Sequence, residues 1–187
     1  MRVCYTKHST IMININVEKF QRIINASIIK PRLKRELRFV NSTEKMGDSD
    51  WSETEMIAIK DRSGNNGVLI VSLESGLYAL PFSIKSLSKS ATTGRAQPII
   101  CDICMTWQSG SRAGSISFIG AKKASSNVAY LCCADLECSR HVRTRTDASK
   151  MSRAQLREDL DNTQRVQRLK NRLEDMVKYL QAVPVEI

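Results

Sequence analysis

Four cysteines in the second half of the chain have the spacing of a single metal site. They are Cys101, Cys104, Cys132 and Cys138, in the pattern C-x2-C-x27-C-x5-C. Four thiolates match the tetrahedral, sulfur-rich shell that Zn²⁺ prefers, and a shell closed by four protein ligands leaves no position for water or substrate. The expectation is therefore one structural Zn²⁺. Cys133 adjoins Cys132, and strand alternation sends neighbours to opposite faces, so only one of the two can face the metal. His141 follows Cys138 by three residues and could replace a cysteine, but it reads more simply as a helix-surface histidine. Cys4 and His8 lie near each other and do not make a site. No nucleophile elbow, Walker-type phosphate loop or histidine–carboxylate pair is present, so the chain is read as a non-enzyme. Glu53 and Glu55 flank a strand start and read as solvent-facing.

The elements around these cysteines can be read from periodicity. Ile99 opens a knuckle at Cys101–Cys104. Residues 112–118 and 128–131 alternate as a β-hairpin, Cys132 closes its second strand, and Cys138 sits near a helix start. Knuckle, hairpin and helix make a treble clef. Upstream, Phe20, Ile23, Ile24 and Ile28 recur at helical steps behind Asn16, with Pro31 ending the helix near Ile29. Leu33, Leu37 and Val40 form the buried side of a second helix. Residues 41–54 read as a polar linker. Three strands then form a meander: 56–59, 68–73 and 77–82, with turns at 63–67 and 75–76. The tail is a long helix from a capping box at Ser152 and Gln155. It runs through Leu156, Leu160, Val166, Leu169, Leu173, Met176, Val177 and Leu180 and is expected to pack on the N-terminal helices. The fold class is α+β: N-terminal helices, a small antiparallel β-meander, and a C-terminal treble-clef zinc finger with a long terminal helix. The expected division is 1–93 for the helices and meander and 94–187 for the zinc module.

Composition sets limits on function. A hydrophobic share of 42% supports a packed core, whereas 5% aromatic residues give few platforms for stacking bases. The net charge of +10 falls on both halves of the chain and favours an acidic partner such as RNA or an acidic protein face. Clusters at Lys30–Arg38 and Arg140–Arg145 carry the alternative of a nucleic-acid-binding zinc protein acting on ribosomal RNA. No apolar run is long enough for a membrane span and no signal sequence is evident. A cytoplasmic location is expected, where paired cysteines bind metal more often than they form disulfides.

The segments Cys101-Asp-Ile-Cys104 and Tyr130-Leu-Cys132-Cys-Ala-Asp-Leu-Glu-Cys138 resemble those of a known family. It is the C-terminal treble-clef zinc-finger family of elongation-factor-G-binding proteins, the FusB type. The similarity covers about residues 99–180. The resemblance implies that the zinc module docks on elongation factor G. In resistance members this docking promotes release of the factor from ribosomes stalled by fusidic acid. It implies partner-binding roles for Tyr130, for Ile100 just before the first zinc cysteine, for Lys122 and Lys123 in the hairpin loop, and for Tyr179 in the terminal helix. At Ile100 the family often carries an aromatic residue, and Asn127 stands where it carries a lysine.

Overall fold

The structure is a computed structural model that describes residues 14–44, 46–87, 94, 96–118, 128–146 and 159–186, without the side chains of residues 48, 49 and 128. Helix α1 (Val17–Ala26) begins at Asn16, whose side chain accepts the Lys19 N–H at 2.8 Å, and it buries Phe20, Ile23 and Ile24. It ends three residues earlier than proline placement suggests. The Ser27 hydroxyl donates to the Ile23 carbonyl, and the chain then extends, leaving Ile28 79% exposed. Pro31 instead opens α2 (Pro31–Glu36), where its missing N–H costs nothing. The expected second helix breaks at Leu37–Arg38. There Leu37 bridges to Asp61 and the Arg38 N–H donates to the Lys60 carbonyl. The break resets the helical phase, so in α3 (Phe39–Thr43) Phe39 is buried and Val40 is exposed. Phe39 stacks on Phe20 with centroids 4.6 Å apart. The segment read as a linker contains the end of α3 and the short α4 (Asp48–Trp51), with Trp51 buried.

Among the described residues seven strands follow: β1 (Met56–Lys60), β2 (Asn66–Leu73), β3 (Gly76–Ser86), β4 (Ile99–Ile100), β5 (Trp107–Gln108), β6 (Ala113–Phe118) and β7 (Val128–Cys133). The meander is as expected, with longer strands. Five strands form one antiparallel sheet in the order β1-β2-β3-β6-β7, and β4-β5 pair separately. Gly64 takes φ +74° in the β1–β2 turn. At Gly67 a Cβ would fall 2.3 Å from the Ile59 carbonyl oxygen, so only glycine fits. The sheet is continuous across the boundary expected near Thr93, because β3 pairs with β6, Ile84 opposite Ile116; Thr93 itself lies outside the described residues.

Alternation along β2 sorts two apolar clusters. Val68 and Ile70 pack with Ile57, Ile59 and helices α1 and α3. Leu69, Val71 and Leu73 pack with Leu80, Phe82, Ile116 and the terminal helix α6 (Asn162–Tyr179). The terminal helix is thus separated from the N-terminal helices by the sheet, contrary to the sequence expectation. β2 is apolar on both faces, with Val68–Leu73 all buried, and such a strand separates two layers rather than covering one. Asp161 and Gln164 form the capping box of α6. Leu160 precedes this cap, while Ser152, Gln155 and Leu156 lie outside the described residues. The sheet also curls: Lys60 at the end of β1 donates through Nζ to the Ala134 carbonyl beyond β7, at 3.2 Å. Among the described residues no helix is long and apolar enough to cross a membrane.

Candidate metal centre

Knuckle geometry comes from local backbone. The Met105 N–H donates to the Cys101 carbonyl at 2.8 Å, and the Cys101 N–H donates to Thr106 at 2.9 Å. Met105 closes the turn in the left-handed region at φ 58°. Asp102 then fixes this knuckle to the free edge of β7. Its N–H donates to the Leu131 carbonyl at 2.8 Å, and its carboxylate accepts the Leu131 N–H at 2.6 Å.

That anchor decides which cysteine faces the knuckle. Cys101, Cys104, Cys133 and Cys138 bring their sulfurs within 4.8 Å of one another, and all four are buried. Cys132, expected as the third ligand, is outside the cluster. It stands opposite Gly114 in the ladder, and its sulfur lies 3.5 Å from where a Gly114 Cβ would be. Strand parity explains the correction. Cys133 lies two residues beyond Leu131 and shares its side, whereas Cys132 turns to the other face. The ligand pattern is therefore C-x2-C-x28-C-x4-C.

The sulfurs suit zinc. Cys101 Sγ and Cys138 Sγ are 3.9 Å apart, and Cys104 Sγ and Cys133 Sγ are 3.5 Å apart. A tetrahedron of Zn–S bonds of about 2.3 Å has edges of about 3.8 Å. None of these cysteines is in a disulfide. Their mutual influence as bare thiols is that of a site built for a cation. Burial opposes ionisation of Cys104, but hydrogen bonds from Cys101, Cys133, Cys138 and His141 outweigh it and hold this thiol well below its ordinary value. Hydrogen bonding to Cys101 and Cys104 pushes Cys133 and Cys138 the other way. A cluster that favours one thiolate and resists the next needs a dication to ionise fully.

A second layer of side chains orients the sulfurs. Gln108 Nε2 donates to Thr106 Oγ1 at 3.0 Å, which leaves the Thr106 hydroxyl proton for Cys104 Sγ at 2.9 Å. His141, read as a surface residue, is 1% exposed. Helix α5 (Cys138–His141) starts at one ligand and turns His141 inward beside another. Its Nδ1 is 3.2 Å from Cys133 Sγ, and its Nε2 is 3.4 Å from Asp135 Oδ2. With Cys133 as a thiolate, Nδ1 carries the proton and donates it to sulfur. Burial lowers the His141 pKa, but Asp135 and Cys104 outweigh it and raise it to about 9. His141 clusters with Cys133 and Asp135 and not with Cys101 and Cys138, so it supports the site rather than completing it.

The knuckle, the curled hairpin and the short helix reproduce the treble clef expected from spacing. A family model described as FBP C-terminal treble-clef zinc-finger matches residues 23–180. The chain belongs to this family. No curated protein and no solved structure matches it. Membership in the treble-clef family and the four buried sulfurs together support one structural zinc.

The other residues singled out in sequence fall into three groups. Tyr130 and Tyr179 line one groove of about 400 Å³ with Asp102, Ile103, Arg172 and Met176. Tyr130 packs edge-on against Phe118 at 6.0 Å, and burial, then Tyr179 and Asp102, raise its pKa. Ile100 is 38% exposed in β4, opposite Trp107. Lys122, Lys123, Asn127, Cys4 and His8 lie outside the described residues. Glu55, expected in solvent, is buried and takes a two-pronged ion pair from Arg143 at 2.6 and 2.9 Å. Arg140 pairs with Glu137 and Arg145 with Glu53, so the basic cluster at 140–145 is largely neutralised within the fold. The pairing of Arg143 with Glu55 spans 88 residues and leaves no signal in a sequence. Cys133 was legible as a candidate through parity, but only the Asp102–Leu131 anchor chooses it.

Proposed function

We propose that this protein is a non-catalytic zinc protein that binds elongation factor G and promotes its release from the ribosome. The observation that supports this reading is the groove between β7 and α6. There the zinc knuckle, tied to β7 through Asp102, holds Tyr130 beside Tyr179. Both residues are ones to which the family resemblance gives a docking role. A tyrosine pair on a metal-rigidified edge suits protein docking, since aromatic side chains bring large area with little entropy to lose. The zinc holds this face in shape and performs no chemistry. Release of the factor follows by linkage if this protein binds the ribosome-leaving conformation more tightly than the bound one. Such a role places the protein in the cytoplasm, with elongation factor G as its partner.

Co-elution of the zinc-loaded protein with purified elongation factor G at low and high salt tests the proposal. The expected result is a stoichiometric complex that survives high salt. Tyr130→Ala should weaken it by about 2 kcal/mol, the lower bound for a buried aromatic anchor, or about 30-fold. The +10 charge favours ribosomal RNA as a second reading. RNA binding would show affinity falling with salt by about 0.7 log units per phosphate contact and no dependence on Tyr130. Loss of both complexes in high salt, with Tyr130→Ala silent, sinks the docking reading.

A further inference from the structure

A cavity of about 730 Å³ lies along the outer edge of β1. Across it stands the segment that runs from Asp135 through α5 to Arg145. This segment follows one metal ligand, Cys133, and contains another, Cys138. Its own backbone has little tendency to hold that shape. Helix α5 has 4 residues, a single turn, and one turn fixes its dihedrals for too few hydrogen bonds to be stable alone. Leu136 and Thr144 stand in the left-handed region at φ 61° and 55°, which is unfavourable for a residue with a Cβ. Contacts outside the segment must therefore hold it.

Two sets of contacts do so. In the first, Cys133 and Cys138 join the sulfur cluster. The second is made by β1 and the residues just before it. Lys60 Nζ donates to the Ala134 carbonyl at 3.2 Å. Ser139 Oγ accepts the Glu55 N–H at 3.0 Å and the Met56 N–H at 3.3 Å. Arg143 donates to both Glu55 carboxylate oxygens, and to the Ser139 carbonyl at 2.8 Å. Little water reaches this cluster, since the Glu55 and Arg143 side chains are 5% and 13% exposed. Arg145 adds a more exposed ion pair with Glu53. Ala134 directly follows Cys133 and Ser139 directly follows Cys138, so each of these ligands has a neighbour tied to β1.

The order that zinc imposes and the order that β1 imposes thus fall on the same residues. Whichever set is in place spares the other part of the conformational entropy of arranging the segment, and this makes the two cooperative and the coupling reciprocal. We infer that Glu55 and Lys60 are positioning residues of the metal centre. From β1, through Ser139, Arg143 and Ala134, they hold the segment that presents Cys133 and Cys138 to the metal. In return, zinc keeps Ser139 on the β1 amides. The coupling concerns the metal centre alone and is independent of which partner docks at Tyr130.

Competition for Zn²⁺ between the full-length protein and a chromogenic chelator tests this. Arg143→Ala and Lys60→Met should each weaken zinc by about tenfold, the low end for a partner outside the ligand shell. Two further variants separate positioning from mere loss of stability. In Glu55→Gln/Arg143→Ala no buried charge is left without its partner, so most of the thermal stability returns while zinc stays about tenfold weaker. Ile24→Ala opens a cavity in the other apolar cluster and should lower the melting temperature with zinc affinity unchanged. Wild-type zinc affinity in the double variant, or an equal loss in Ile24→Ala, overturns the inference. Hydrogen exchange reads the reciprocal effect. Removing the zinc should speed exchange of the Met56 amide, bonded to Ser139, by about tenfold or more, and that of Ile57, within the β1–β2 ladder, far less. Equal acceleration of the two amides, or none, overturns it as well.

Discussion

Replacing Cys133 with alanine should empty the metal site, and replacing the adjacent Cys132 should not. The magnitude follows from the cluster. Structural zinc contributes about 10–16 kcal/mol across four ligands in small finger domains, so one thiolate accounts for roughly 2.5–4 kcal/mol. At about 1.4 kcal/mol per decade, Cys133→Ala weakens zinc by about 60- to 700-fold. The loss also frees β7 from the knuckle, since Cys133 and Cys104 sulfurs are 3.5 Å apart across that junction. Cys132→Ala removes one sulfur from a fully buried position against Gly114 and costs about 1–2 kcal/mol of packing with no change in metal. Zinc per chain after gel filtration, competition with a chromogenic chelator, and thermal melting distinguish the two. The expected result is one zinc per chain for Cys132→Ala and a strongly depleted, less stable Cys133→Ala. The reverse pattern would refute the strand register assigned to the end of β7, and with it the anchor at Asp102.

Other consequences can be checked separately. His141→Ala should speed zinc transfer to a chelator and alkylation of Cys133 by about 10–100-fold, the usual range for a lost outer-shell partner, because Nδ1 lies 3.2 Å from that sulfur. Arg143→Ala leaves Glu55, with a side chain 5% exposed, as an unpaired buried charge. It should cost about 3–5 kcal/mol in denaturant unfolding, and Glu55→Gln alongside it should recover most of that. Asp102→Ala removes a charged acceptor from the Leu131 N–H. A loss of about 1.5–3 kcal/mol is expected, with faster amide exchange at Leu131; an unchanged Leu131 amide would contradict the anchor.

The sequence by itself determined the elements whose signals are local. Asn16 caps α1, alternation sets the meander, and the C-x2-C knuckle with its hairpin announces a zinc treble clef. Local competition already blurred some ends. The Ser27 hydroxyl stopped α1 before Pro31 could, and the Leu37–Asp61 bridge broke a helix that propensity would continue. Tertiary structure decided what depends on partners distant in the chain. The terminal helix could have covered any apolar face, and it took the side of the sheet opposite α1 because β2 is apolar on both sides. Glu55 and Glu53 look alike in sequence, yet Arg143, 88 residues away, draws one of them into the interior. The choice between Cys132 and Cys133 rests on the phase of one strand. That phase comes from two hydrogen bonds between Asp102 and Leu131, which no local pattern encodes.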